Sequence, residues 1–436
     1  MAAVDQVLLS VGPGETRLAL MAAGHPVEFI IDRGDAAAGD VVLGRVLSVN
    51  RALSAAFVDI GEPQAGFLAA PGRLGEGDAA LVQVTAAAHG DKGAALSAQP
   101  SLAGRFLAYS PSRPGLNLSR RLQDDAARAR LAASLSAALL PGEGVVVRTA
   151  AGGASVEALA AELEALRDHW QAIKMAAAKA VPPCRLHAPP PLARVLALHP
   201  TVTQVRVDEA SALSEVRVLF PDARLERGLF ETSGAEESLE QALEPRLALP
   251  GGGALIIEAA AGLTVIDIDS GGGRPLDANL AAVPEIARQL RLRGIGGHIL
   301  VDVIPLRDRR ALGQVVLALR QAVADDPTPT QVVGATSLGL VEMTRHRLRP
   351  SLAEVMLHQP AAGLSPESLA LAGLRAALRA MLERPAARFA LAARPEVITA
   401  LRRRPAALAE AAQRLGRPLT LIEDQRVALF DLMEDR

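Results

Sequence analysis

Two apolar runs that each end in an aspartate constrain the fold more than any other feature of this sequence. Leu263–Ile266 closes on Asp267 and His298–Val301 closes on Asp302, 35 residues further on, with a helix-like stretch between them. Short apolar runs read as buried strands, and a strand–helix–strand unit brings its two strands into one sheet. A carboxylate at the end of such a strand is costly unless it is paired, hydrogen-bonded or bound to a cation. If the strands are neighbours, both carboxylates emerge at one sheet edge. There they could hold a hard dication such as Mg²⁺, completed by water and phosphate, and such an ion activates water and neutralises charge on a phosphodiester. Asp269, two residues after Asp267, faces the same side of an extended chain. A strand-end aspartate that caps the following turn gives the same pattern, so the residues alone leave both readings open.

Around this unit the chain reads as alternating short strands and helices. Val7–Val11, Glu15–Ala22 and Pro26–Ile31 have strand character, and from Gly39 to Ser97 about five short β segments broken by Gly and Pro suggest a small barrel such as an OB fold. Helices are expected over Asp124–Leu139 and Ser155–Lys179; in the second, Leu159, Leu163, Leu166, Trp170 and Ile173 fall on one face. Proline-rich Val181–Pro200 marks a boundary. The stretches VTQVRVD and LSEVRVLF then read as strands, Ala254–Ser270 as a hairpin and Pro284–Arg293 as a helix with Pro284 in its first turn. A strand at His298–Ile304, a helix at Arg309–Ala324 and a C-terminal α/β piece complete the expected order.

Composition excludes some functions. Lys plus Arg number 46 against 48 Asp plus Glu, so the chain is not a globally basic nucleic-acid binder. Only Lys92, Lys174 and Lys179 are lysines; the positive charge is nearly all guanidinium. Cys184 is alone, which excludes an intrachain disulfide and a Cys-rich zinc site. The first residues lack the cation and apolar core of a secretory signal, and no uncharged apolar run reaches 18 residues. A soluble, cytoplasmic protein with no membrane partner is expected.

The motifs are more specific than their chemistry. TVIDIDSG, ANLAAVPEIARQLRLRGIGGHILVDVIPL and LGLVEMTRHRLRPSL, between Thr264 and Leu352, closely resemble the catalytic core of the ribonuclease E/G family. AAFVDIGEPQAGFL and GDKGAALSAQPSLAG resemble its S1-type OB domain, and GVVVRTAAG followed by HWQAIK resembles its 5′-monophosphate sensor. The resemblance implies an α/β multidomain fold: a split RNase H-like domain (1–38 and 196–260) with an inserted S1-type barrel (39–98) and sensor segment (99–195). A DNase I-like catalytic domain (261–358) and a small α/β C-terminal domain (359–436) follow. It implies a Mg²⁺-dependent endoribonuclease that cleaves single-stranded RNA, in rRNA processing or mRNA decay, leaving 5′-phosphate and 3′-hydroxyl ends. Asp267 and Asp302 match the metal-holding catalytic aspartates, with Asp269 beside them. Phe57, Phe67 and Lys92 match RNA-holding positions of the barrel. Arg148 and Thr149 match the pair that reads a 5′-monophosphate, and Arg120 a neighbouring sensor arginine. The Arg-rich segments Arg288–Arg293, Arg307–Arg310 and Arg345–Arg349 could track phosphates.

Several positions depart from the family pattern. Asp269 stands where Asn is usual, so a donor becomes a pure acceptor: an additional metal ligand, or a source of repulsion toward phosphate. Pro305 replaces an acidic residue, and Ala260-Ala261 replace a Thr-Glu pair. The loop SGGGRPLDANL is shorter than usual, and its three glycines lack the ending of a nucleotide-binding loop. After RPSL the chain reads AEVMLHQPAAG in place of Cys-Pro-x-Cys. No zinc is therefore expected; a homo-oligomer is possible, but not through a zinc link, and His358 is no substitute. These departures leave an RNA-binding homologue with impaired catalysis as the alternative.

Overall fold

The computed structural model describes all residues except 1–2, 91, 120–121, 123, 251, 261, 358–362, 386 and 435–436. Arg120 and His358 lie outside the described residues. The chain divides into two compact units, 35–202 and the combination of 1–34 with 203–436.

In the first of these, alternation builds a barrel. The Val41–Asn50 strand pairs with Ala55–Asp59 on one side and Ala79–Ala86 on the other, and Gly66–Ala69 and Ala95–Ser97 complete the ring. Val42, Val46, Ala56, Val58, Leu68, Val82, Val84 and Leu96 point inward and form one apolar cluster. A closed barrel of five strands is consistent with an OB fold. The Cys184–His187 strand, from the stretch expected to be a mere boundary, adds to the barrel through Val41–Leu43. Gly144–Val147 is central in a separate four-stranded sheet. Helices Asp125–Ala138 and Val156–Ala177 bury Leu131, Leu135, Leu159, Leu163, Trp170 and Ile173 with that sheet, so Trp170 is a core residue.

Among its described residues the other unit contains three sheets. Gln6–Gly12, Glu15–Ala22 and His25–Asp32 form an antiparallel meander, and Gln204–Val207 and Arg224–Leu225 extend it with parallel strands. Leu213–Phe220 is not a strand: Ala210–Leu219 is a helix capped by the Glu209 side chain. Val216 and Val218 suggest alternation, but Leu213, Val216 and Leu219 also recur at helical spacing; Val216 is buried and Val218 is 83% exposed. The helix expected to begin at Pro284 runs over Pro275–Leu292, with Pro275 in its first turn and Pro284 inside it. Asn279, Ala282, Val283, Ile286 and Leu290 give it a buried face long enough to carry the helix through the proline. Near the C-terminus, Phe389–Ala393 lies between Thr420–Glu423 and Phe430–Glu434.

A buried ion cluster ties the N-terminal meander to the C-terminal piece. The Glu15 carboxylate, fully buried, accepts from Arg17 (2.6 Å), Arg33 (2.8 Å) and Arg375 (3.2 Å). Gly12 makes room for the third: a Cβ there would lie 2.6 Å from the Arg375 guanidinium carbon. Among the described residues no helix is long and apolar enough to cross a membrane.

Candidate active site

The six-stranded sheet runs Arg246–Ala248, Ala254–Ala259, Leu263–Asp269, Gly297–Asp302, Val341–Arg345, Thr330–Ala335 in spatial order. One face packs on helices Pro275–Leu292 and Arg309–Val323 through Leu255, Ile257, Ile266, Ile268, Ile299, Val301, Val341 and Met343. The residues between them point to the other face, as the pleat requires. Leu263–Asp269 and Gly297–Asp302 are parallel neighbours, and their register places Asp267 directly opposite Asp302. Adjacent strands lie ~4.8 Å apart, so the two carboxylates share one edge of the sheet. Asp302 is exposed and Asp267 half-buried. Burial raises the Asp267 carboxyl above its ordinary range, and the negative charges of Asp302 and Asp269 raise it further. Two oxygen donors that repel each other at a solvent-open strand end fit a hard divalent cation. Among the described residues no three His, Cys, Asp or Glu side chains converge. A cation here would therefore take two protein carboxylates and complete its shell with water or phosphate.

The backbone around the pair is fixed by residues without local sequence signals. Asn279, fully buried in the long helix, donates to the Ile304 carbonyl and accepts from the Ile304 N–H, both at 3.0 Å. This clamp sets the path of the chain two residues beyond Asp302. Asn279→Leu strands both Ile304 groups and should destabilise the sheet by about 2–4 kcal/mol. Denaturation, with hydrogen exchange at Val303 and Ile304, checks this. On the other strand the glycines serve close approach. A Cβ at Gly253 would lie 2.1 Å from the Asp269 carbonyl oxygen, and Gly271, at φ +56°, packs equally tightly on Gly253. The glycine-rich turn thus lets two backbones meet at the strand end.

Asp269 is exposed; its Oδ2 accepts from Arg246 at 2.9 Å and its Oδ1 from the Gly271 N–H at 3.3 Å. The Arg246 bond, then the backbone bond, hold its carboxyl below the ordinary range. Sequence reasoning missed Arg246, since nothing 21 residues upstream of Asp267 marks it as a neighbour. Two of the arginine-rich segments serve mainly structure. Arg291 and Arg349 bind Glu28, Arg345 makes a buried bidentate pair with Asp326, and Arg293 donates to Gln289 and the Glu244 carbonyl. Arg307, Arg309 and Arg310 are exposed in the segment that follows Asp302.

In the barrel unit, Phe57 and Phe67 sit directly opposite on neighbouring strands, with ring centroids 6.0 Å apart at 74°. Both point outward, and Phe67 is 38% exposed. They form an aromatic surface and are not barrel core. Lys92 is exposed and exchanges two backbone hydrogen bonds with His89, each residue's N–H donating to the other's carbonyl. Arg148 and Thr149 stand at the end of Gly144–Val147. The Thr149 hydroxyl is 3.0 Å from that of Ser119. Arg148 donates to the Gly104 carbonyl at 2.8 Å and to the Ala197 carbonyl. Glu162 steadies this corner by accepting the N–H groups of Arg105, Phe106 and Leu107 at 2.5–2.9 Å.

The sequence pattern of the Ribonuclease E/G family matches residues 101–348. Ribonuclease G of Haemophilus influenzae is 31% identical over 398 residues, which cover 80% of this chain and 81% of that protein. Ribonuclease E of Escherichia coli K12 is 34% identical over 372 residues, 73% of this chain and 34% of that protein. Ribonuclease E of a Nostoc species is 34% identical over 369 residues, 75% of this chain and 54% of that protein. The likeness thus spans most of a ribonuclease G and a third to a half of a ribonuclease E. The chain belongs to the ribonuclease E/G family.

Proposed function

We propose that this chain, an endoribonuclease by family, cleaves single-stranded RNA by Mg²⁺-dependent hydrolysis, leaving 5′-phosphate and 3′-hydroxyl ends, with rRNA precursors or mRNA as substrates. The observation that carries this reading is the register that sets Asp267 opposite Asp302 at one open sheet edge. When bound, Mg²⁺ would supply an activated water and neutralise charge on the scissile phosphodiester. The protein's own residues hold and orient. Asp267 and Asp302 provide the two hard oxygen ligands, and Asn279 holds the chain that leaves Asp302. Phe57 and Phe67 offer unstacked bases a sequence-tolerant surface, with Lys92 as a cation for the backbone. The barrel at 39–98, the sensor segment at 99–195 and the catalytic segment at 261–358 are the divisions this reading assigns.

Thr149 is the open half of the proposed 5′-monophosphate reader. The Arg148 guanidinium has five N–H groups and gives one from each terminal nitrogen to the Gly104 and Ala197 carbonyls, so a terminal phosphate would be bound through the remaining N–H groups of an arginine already held in place.

Cleavage of a 5′-monophosphorylated oligoribonucleotide with Mg²⁺ and with EDTA tests the activity; turnover only with Mg²⁺ is expected. Phe57→Ala and Phe67→Ala should each weaken single-stranded RNA binding by about 1–3 kcal/mol, read as Kd by fluorescence anisotropy. Lys92→Ala should instead lower the salt dependence of binding by about one ion.

A further inference from the structure

We propose that Arg246 is a positioning residue that withdraws Asp269 from the metal-holding pair, so that the cation is held by two carboxylates and no uncompensated third charge faces the RNA phosphate. The inference rests on reading Asp267 and Asp302 as that pair.

Strand alternation alone puts Asp269 on the face of Asp267 and makes it a plausible third ligand. The sheet register argues otherwise. The Gly297–Asp302 strand ends opposite Asp267, so Asp269 has no residue of that strand beside it and pairs with Ala254 on the opposite side. Arg246 reaches it from there. Arg246 lies opposite Ile256, which lies opposite Asp267, which lies opposite Asp302. Residues directly opposite share a face, so the guanidinium stem rises from the same row as the aspartates, two strands (about 10 Å) from Asp267. It then crosses diagonally to Asp269 Oδ2 at 2.9 Å, while Gly271 N–H occupies Oδ1 at 3.3 Å. Both carboxylate oxygens are engaged, and among the described residues no three ligating side chains converge. Left alone, Asp269 would add a full negative charge where a polyanion arrives; the Arg246 guanidinium at 2.9 Å offsets that charge.

The test uses the full chain stripped of metal, with Mn²⁺ as the probe by isothermal titration and a 2′-O-methyl oligoribonucleotide in EDTA as the RNA probe. Asp269→Asn should leave Mn²⁺ affinity within about twofold of wild type, because the carboxylate is not a ligand. Arg246→Ala frees Asp269 and should tighten Mn²⁺ binding about tenfold while weakening RNA binding in EDTA. Arg246→Ala with Asp269→Asn should return Mn²⁺ affinity to the wild-type value, an outcome that a merely structural arginine would not give. Loss of Mn²⁺ affinity by about tenfold in Asp269→Asn overturns the proposal and makes Asp269 a ligand. Arg246→Ala that changes neither affinity also overturns it. An Asp302→Asn variant that binds Mn²⁺ as wild type does removes the two-carboxylate reading itself, and this inference with it.

Discussion

Asp302→Asn should reduce Mg²⁺-dependent cleavage by about a thousandfold or more, since a metal's charge stabilisation is worth several kcal/mol and each 1.36 kcal/mol is roughly tenfold in rate. Asp302 is exposed at a strand end, and the amide has the shape of the carboxylate it replaces. The fold should therefore survive, and the circular dichroism spectrum and melting midpoint should match wild type. RNA affinity in EDTA should be unchanged or slightly higher, because a negative charge has left the surface that meets the phosphates. The loss should appear in kcat with KM nearly constant, as expected for an interaction made with the reacting group alone. Asp267→Asn should act in the same direction. A full-rate Asp302→Asn enzyme would show that the pair is structural.

The largest effect on stability should come from Glu15. Replacing it by Ala leaves Arg17, Arg33 and Arg375 buried without their shared carboxylate, and breaking a buried pair in this way costs about 3–5 kcal/mol. Burial alone would raise the Glu15 carboxyl, but Arg17, Arg33 and Arg375 outweigh it and hold the group down at about 2, from an ordinary 4.5. The sign of the pH dependence follows. Below 4.5 the unfolded chain takes up a proton that the folded chain refuses, so the contribution is complete above 4.5 and lost as pH falls toward 2. Glu15→Gln should start less stable at pH 7 and lack this increment of acid sensitivity. Hydrogen exchange of the Gln6–Ala22 hairpin across that pH range checks both statements. An unchanged acid limb in Glu15→Gln would place the sensitivity on another group.

What the sequence reveals follows from which interactions are local. The paired aspartates are legible because the strands that carry them are short, apolar and joined by one helix; the register needs nothing from elsewhere in the chain. The barrel is legible because its strands are short and mostly apolar and all its connections but Arg51–Ser54 carry Gly or Pro. Arg246 and Asn279 are not legible: each acts across strands or layers on a residue more than 20 positions away. The helix start at Pro275 is hidden by Pro284, which reads as a first-turn proline until the buried face preceding it is known. The Val216/Val218 alternation misleads because a short apolar run satisfies both periods, and burial of Val216 alone selects the helix. Net charge near zero also hides the arrangement. Arginines that look like a phosphate track in Arg345–Arg349 are largely matched by internal carboxylates such as Asp326, Glu354 and Glu28.

Product-end analysis of a cleaved oligoribonucleotide tests the central claim most directly. A 5′-labelled and a 3′-labelled single-stranded RNA are incubated with the wild-type chain and Mg²⁺, and the new ends are identified by mass. Metal-assisted hydrolysis at Asp267 and Asp302 predicts a 5′-phosphate on one fragment and a 3′-hydroxyl on the other, with both absent in EDTA. RNA that is bound but left intact with Mg²⁺, or fragments ending in a 2′,3′-cyclic phosphate, would contradict it.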